Sequence, residues 1–363
     1  MRPDPGAASQ TMMPPGPLPS LAPLVVSACL AFLGGCGHTE VGSFAPEVRE
    51  SAFGAAEPLR LTYGGGATPQ WSASPDQVAY AFGRDVNAVG DLAWCVGSLP
   101  ATGGSRRSEL CDTDPAARDT STIVTAWPAP SADGRWIFEQ RRFNRYGIQF
   151  RAGLILRDAV AGTANALVLP VPFFAGGKPQ GGISHPAWLD PDHLVLVGRG
   201  VIRSTNDNVN SGQEIFTFAP AEGLAGLASV PGTIWASSLD LSPDRDTLYY
   251  TLGGDSRVYR RALATGAVDT LFDFGALGIV RDVRVRNGRL IAVVGGDVTW
   301  GPHASLGMAQ YDNGGPIYSV DLPAGAPVLV SQSYDQYLHP ALAPDGGHLV
   351  AEQFGDLWRV ALP

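Results

Sequence analysis

The sequence predicts an all-β chain built as a six-bladed β-propeller, and three observations lead there. A short phrase recurs six times: an apolar residue, a turn built on Asp or Asn, then a dense apolar run. Its turn residues, Asp76, Asp133, Asp192, Asp244, Asn287 and Asp345, fall roughly 40 to 60 positions apart, a period that suits one blade following another around an axis. Gly 45 and Pro 30 make up about a fifth of the 363 residues while 45% are apolar, which suits many short buried strands joined by tight turns. A pair of β-sandwiches or a seven-bladed ring are the other architectures such a pattern admits.

The chain opens with an address. Residues 21 to 33, LAPLVVSACLAFL, form an apolar stretch too short for a membrane-spanning helix of about 20 residues but suited to the apolar region of a secretion signal. It runs into LGGC, Leu33 to Cys36, which resembles the lipobox of bacterial lipoproteins. That resemblance implies that residues 1–35 are a lipoprotein signal peptide and that Cys36 carries lipid as the mature N-terminus, with Gly34 and Gly35 small enough for the cleavage pocket. An ordinary cleaved signal or a short buried helix is the plainer reading. Several acyl chains on one cysteine hold a membrane far more firmly than one. Residues 36–57 are then the lipidated N-terminus and flexible tether. By similarity to sorting in enteric bacteria, Gly37 after the cysteine implies the outer membrane.

An exported chain matures under oxidising conditions, so its cysteines inform. Cys29 leaves with the signal and Cys36 is lipidated, which leaves Cys95 and Cys111 to form a disulfide around VGSLPATGGSRRSEL, or to stay as two free thiols.

The propeller is assigned to residues 58–363. Its six phrases are PQWSASPDQVAYAF from Pro69, PAPSADGRWIFEQ from Pro128, HPAWLDPDHLVLVG from His185, LDLSPDRDTLYYTL from Leu239, DVRVRNGRLIAVV from Asp282 and HPALAPDGGHLVAEQ from His339. In each, a first strand meets an Asp-Gly type reversal and a second strand leaves it. The second strands are apolar at both alternating positions, as a sheet sandwiched between neighbouring blades requires. Third strands follow as DLAWCVGSL, AGLILRD, QEIFTF, RVYRRAL, PIYSVDL and DLWRVAL. The last reaches the end of the chain, so blade six lacks an outer strand. PLRLTYGGG from Pro58 has no blade of its own, and pairing Leu59 to Thr62 beside LWRVAL would close the ring and remove an exposed edge. LRLTYGGGATPQWSASPD and its cousins resemble the repeats of TolB-type six-bladed propellers. The resemblance implies a periplasmic binding scaffold, with the lipid anchor as a departure.

A net charge of −9 argues against nucleic acid, which needs a concentrated basic surface. No G-x-S-x-G, H-E-x-x-H or phosphate loop occurs, so the common hydrolase, zincin and nucleotide signatures are missing. Three candidate sites remain. The residue just before each phrase's proline should stand near the axis, giving Thr68, Trp127, His185, Ser238, Arg281 and His339. Two imidazoles and a guanidinium there would suit an anionic sugar or a carboxylate, or the His-Pro pairs are simply strand starts bonded to channel water. Blades three and six are opposite, so His185 and His339 are expected to face each other too far apart to share a metal. The stretch STNDNVNSGQE offers Asp207, Asn208, Asn210 and Glu214 as a faint calcium loop, against a solvated loop. The blade-five insertion from Gly295 carries Trp300, His303, Met308 and Tyr311, either a partner-binding loop or one packed on its own blade. No cofactor is expected.

The functional expectation is a lipid-anchored envelope scaffold, non-enzymatic, that presents its ring to an envelope protein or to a small-molecule or saccharide ligand. The alternative is a channel-sited lyase or hydrolase acting on acidic saccharides.

Overall fold

The computed structural model describes residues 58–363 apart from residue 64 and the segments 73–75, 86–91, 112–120, 145–148, 159–162, 168–181, 200–212, 296–297, 304–306, 313–314, 332–337 and 354–355. Cys36, the leader and the tether lie outside the described residues.

In chain order, β1 (Leu59–Arg60) precedes blade one, which is β2 (Ala67–Trp71), β3 (Gln77–Asp85), β4 (Leu92–Pro100) and β5 (Ser108–Cys111). Blade two is β6 (Ser121–Pro130), β7 (Arg135–Asn144), β8 (Gln149–Asp158) and β9 (Thr163–Leu167). Blade three is β10 (Gly182–Trp188), β11 (Leu194–Arg199), β12 (Gln213–Phe218) and β13 (Leu227–Ser229). Blade four is β14 (Ala236–Leu241), β15 (Thr247–Leu252), β16 (Arg257–Ala262) and β17 (Val268–Asp273). Blade five runs through β18 (Val280–Arg286) and β19 (Arg289–Val294), detours through the hairpin β20 (Val298–His303) and β21 (Gly307–Asp312), and returns as β22 (Ile317–Asp321) and β23 (Val328–Leu329). Blade six is β24 (Leu338–Leu342), β25 (His348–Gln353) and β26 (Asp356–Ala361), with β1 as its fourth strand.

Every blade is an antiparallel sheet of four strands. The six phrases supply the first two strands of each, and the six expected third strands are β4, β8, β12, β16, β22 and β26. The outer strands of the first five blades, which the sequence pattern implies without locating, are β5, β9, β13, β17 and β23. In blades three to five they are short and largely exposed, as in β17 and β23, so they carry little of the apolar alternation by which strands are read.

The core is divided among the junctions between blades. In β11, Leu194 and Leu196 pack with Ala129, Ile137 and Leu154 of blade two, while Val195 and Val197 pack with Leu239, Leu241 and Leu248 of blade four. In β19, Ile291 and Val293 face blade six, and Leu290, Ala292 and Val294 face blade four. This two-sided burial is the reason those strands read as unbroken apolar runs. The remaining junctions have their own clusters, one around Trp136 and Phe138 between blades one and two, the other around Tyr80, Phe82, Val350 and Leu357 between blades one and six. Indoles also tie inner strands together: Trp71 Nε1 donates to the Ala341 carbonyl and Trp188 Nε1 to that of Ala129, both at 2.9 Å.

At the seam, Leu59 pairs with Arg359 and Arg60 with Trp358, and the Leu61 amide donates to the Leu357 carbonyl at 2.8 Å. The ladder stops short of Thr62, whose hydroxyl instead donates to Asp356 and accepts from the Leu357 amide. Cys95 and Cys111 stand directly opposite each other on β4 and β5 and form the disulfide.

Candidate functional site at the ring centre

Successive inner strands β2, β6, β10, β14, β18 and β24 lie against one another around the axis, and each breaks register once with its partner. In four blades the break skips two residues, the second a proline: Thr68-Pro69, Trp127-Pro128, His185-Pro186 and His339-Pro340. Proline has no N–H for the ladder, so a bulge is where a strand tolerates it. The residue before it is left-handed, with φ of 47° at Thr68, 56° at Trp127, 52° at His185 and 53° at His339. Non-glycine residues seldom adopt that conformation, and four of them at equivalent positions mark a backbone device for placing side chains. Blades four and five have no proline at the break, which there skips one residue, Ser237 and Arg281 respectively.

The consequence is a one-residue correction to the sequence reading. In blade five it is Asp282, and not Arg281, that joins the centre. The Arg281 guanidinium turns to the Gly295 carbonyl of its own blade at 2.6 Å. Asp282 is 4% exposed. Its Oδ1 accepts from Ser238 Oγ at 2.6 Å, Arg284 Nη1 at 2.5 Å and the Val283 amide at 2.8 Å, and lies 3.3 Å from His185 Nε2. His339 Nδ1 stands 3.6 Å from Oδ2, which has no hydrogen-bond partner among the described residues. Trp127 completes the group, its ring 4.1 Å from that of His185 and 4.3 Å from that of His339.

These contacts join blade three to blade five and blade two to blade six, pairs that are not neighbours in the ring. They meet only because side chains fill the axis at this level. The expectation that His185 and His339 are too far apart to share an ion is therefore overturned: the rings are 6.3 Å apart, and one donor atom from each of His185, Asp282 and His339 lies within 4.8 Å of the others. The expected cationic funnel is replaced by a buried carboxylate paired with Arg284, whose guanidinium also reaches the Leu239 and Val283 carbonyls.

Burial sets the charge states. It drives the His185 pKa down to about 4 against the pull of Asp282, so the ring is neutral near pH 7. Burial also pushes the Asp282 carboxyl up, but Arg284 and the two imidazoles outweigh it and hold the group well below the usual carboxylate range. Beside them, Glu352 of β25 accepts the Thr68 amide at 3.3 Å, and burial raises its pKa. Thr68 Oγ1 in turn accepts the Trp127 amide at 2.9 Å. His185 and Trp127 are 5% and 6% exposed, whereas the His339 side chain is 28% exposed and is the imidazole that solvent reaches.

The other candidates are not drawn into this group. Glu214 is buried in β12, where it accepts the Ser229 hydroxyl, while Asp207, Asn208 and Asn210 lie outside the described residues. The insertion expected as a loop is a hairpin, with Trp300 opposite Gln310, Tyr311 opposite Thr299, Pro302 opposite Met308 and His303 opposite Gly307; what those side chains meet lies outside the described residues.

No family model matches the chain, and no curated protein matches it. Among solved structures, it is similar to a gluconolactonase from Xanthomonas campestris, with 16% identity and a TM-score of 0.50 over 88% of this chain and 95% of that one. It is also similar to regucalcin, a calcium-binding protein from Agrobacterium tumefaciens, with 15% identity and a TM-score of 0.48 over 83% and 90% of the two chains. At such identities the likeness speaks for the propeller fold alone, and the expected kinship with TolB in particular is not what these neighbours display.

Proposed function

We propose that the chain is exported, held to the bacterial envelope by lipid on Cys36, and uses its propeller as a non-enzymatic binding scaffold that presents its ring to an envelope protein or, at the ring centre, to a small polar ligand. The observation that carries the second half is the meeting of Trp127, His185, Asp282 and His339, drawn from four blades onto one buried carboxylate. A ring needs no such group in order to fold, since buried ion pairs replaced by apolar residues of similar volume often leave a protein as stable or more so. The first half rests on LGGC following an apolar stretch.

Two measurements on the full chain expressed in bacteria test this reading. Labelled palmitate is expected in the wild-type protein and not in Cys36→Ser. Crosslinking in intact cells through a photoreactive residue at Trp235, which is 55% exposed just before β14, is expected to recover a discrete adduct. Palmitate label that persists in Cys36→Ser, or repeated recovery of uncrosslinked protein alone, would refute the corresponding half.

A second reading, hydrolase or lyase action on acidic saccharides, is favoured by one contact: the partly exposed His339 beside the Asp282 carboxylate, an arrangement that orients an imidazole for proton transfer. Incubation with polygalacturonate should then release products from wild type and not from His339→Ala; equal release from both would dismiss it.

A further inference from the structure

We propose that His185, Asp282 and His339 bind one divalent first-row transition-metal ion of the zinc class at the centre of the ring. This rests on the reading of that centre as a ligand site and names what it takes.

Geometry supports it. Bonds from zinc to imidazole nitrogen run about 2.0–2.1 Å, which spaces the donors of a tetrahedral ion about 3.3 Å apart. His185 Nε2 already lies 3.3 Å from one carboxylate oxygen of Asp282, and His339 Nδ1 lies 3.6 Å from the other. One donor atom from each of the three residues lies within 4.8 Å of the others, and His339 is the least buried of the three.

One buried polar atom of the carboxylate points the same way. Asp282 Oδ1 takes Ser238, Arg284 and the Val283 amide, so the positive charge of Arg284 sits on that oxygen. Oδ2 is buried and has no hydrogen-bond partner among the described residues, an omission that folded proteins seldom leave unexplained. A cation between Oδ2 and the two imidazoles would satisfy it. Two nitrogens and one oxygen suit zinc, iron, cobalt or nickel and leave open positions for a further ligand, whereas calcium takes six to eight oxygens. Ser238 and Arg284 hold the carboxylate in place from behind, as partners of a metal-ligating carboxylate do.

Full-length protein stripped with chelator and titrated with Zn2+ against a chromophoric competitor should bind one ion per chain. His339→Ala should weaken binding about 100-fold or more while circular dichroism stays native, because that ring is partly exposed. Asp282→Asn should weaken it similarly, but can loosen the fold by stranding Arg284, so His339→Ala is the primary variant. His193→Ala removes an exposed imidazole whose Nδ1 is 2.9 Å from Asp190, and should leave the tight site unchanged. Cu2+ should quench emission from Trp127, and Trp127→Phe should remove that component.

Less than a tenth of an ion per chain, or binding undiminished in His339→Ala, would overturn the proposal. If zinc fails to bind while the crosslinked adduct at Trp235 is still recovered, the metal inference alone falls; if both fail, the binding-scaffold reading falls with it.

Discussion

Arg60 and Asp356, separated by almost the whole described chain, form a 2.5 Å ion pair across the seam that closes the ring. The same carboxylate accepts from Thr62 Oγ1 at 3.1 Å and from the Gly65 amide at 3.3 Å, so one side chain fastens the incoming strand at three points. Both partners are largely buried, at 20% and 11% exposure. Asp356→Ala strands several donors at once and is expected to lower unfolding stability by ~2–4 kcal/mol. Arg60→Ala should cost less, since the carboxylate keeps its other donors. Urea unfolding midpoints of the two variants check the ranking; midpoints equal to that of wild type would mean that the ladder from Leu59 to Leu61 closes the ring without help.

At the centre the analogous experiment is Asp282→Ala. Arg284 is 6% exposed, and its Nη1 has the Asp282 carboxylate as its anionic partner, at 2.5 Å. Removing one member of a buried pair leaves the other charge uncompensated, at ~3–5 kcal/mol. The double variant Asp282→Ala, Arg284→Met should recover much of that loss, because the apolar replacement leaves no buried charge. Guanidinium melts of the single and double variants measure the recovery. A double variant no more stable than Asp282→Ala would show that the cost lies in the lost Ser238 and amide contacts.

Most of the ring was legible because each blade repeats the same conflict between turn and strand. Residues 194–197 read as an apolar run since one alternate face meets blade two and the other blade four. The proline marker placed Thr68, Trp127, His185 and His339 correctly, since proline forces the two-residue bulge that turns the preceding side chain inward. Where proline is missing the bulge shortens by one residue, and the same marker pointed to Arg281 when Asp282 was meant. The separation of His185 and His339 was not legible, because it depends on how far left-handed residues at two bulges project into the axis, and pattern along the chain carries no such depth.

The disulfide joins residues 16 apart in sequence on paired strands. Closing a loop of that length removes unfolded-chain entropy equivalent to ~3 kcal/mol. Cys95→Ala, Cys111→Ala is therefore expected to unfold at lower denaturant, and wild type under reducing agent should fall to the same midpoint. A reductant effect absent from wild type would indicate that blade one holds the same free energy without the bond.

Acid and alkali should each reach one surface cluster on blade four. Asp255 accepts both Nε and Nη2 of Arg257, at 3.0 and 2.8 Å, and the Tyr259 hydroxyl at 2.6 Å. Hydrogen bonding from Arg257, against a smaller opposing effect of burial, brings its pKa down to about 2. A carboxyl whose folded pKa lies below its unfolded value of about 3.9 binds its proton more readily when unfolded, so its stabilisation is present above pH 4 and is lost as pH falls through 2. Tyr259 behaves oppositely. Burial first, then Asp255, raises it to about 12, so its stabilisation is complete below its unfolded pKa of about 10 and is lost as pH rises toward 12. The cluster is solvent-screened, and Asp255→Asn should cost ~0.5–1 kcal/mol at pH 7. The difference from wild type should shrink below pH 4 and vanish below pH 2. Urea unfolding at stepped pH measures it; a difference independent of pH between 2 and 5 would mean that the asparagine's altered hydrogen bonding, and not the lost charge, sets the effect.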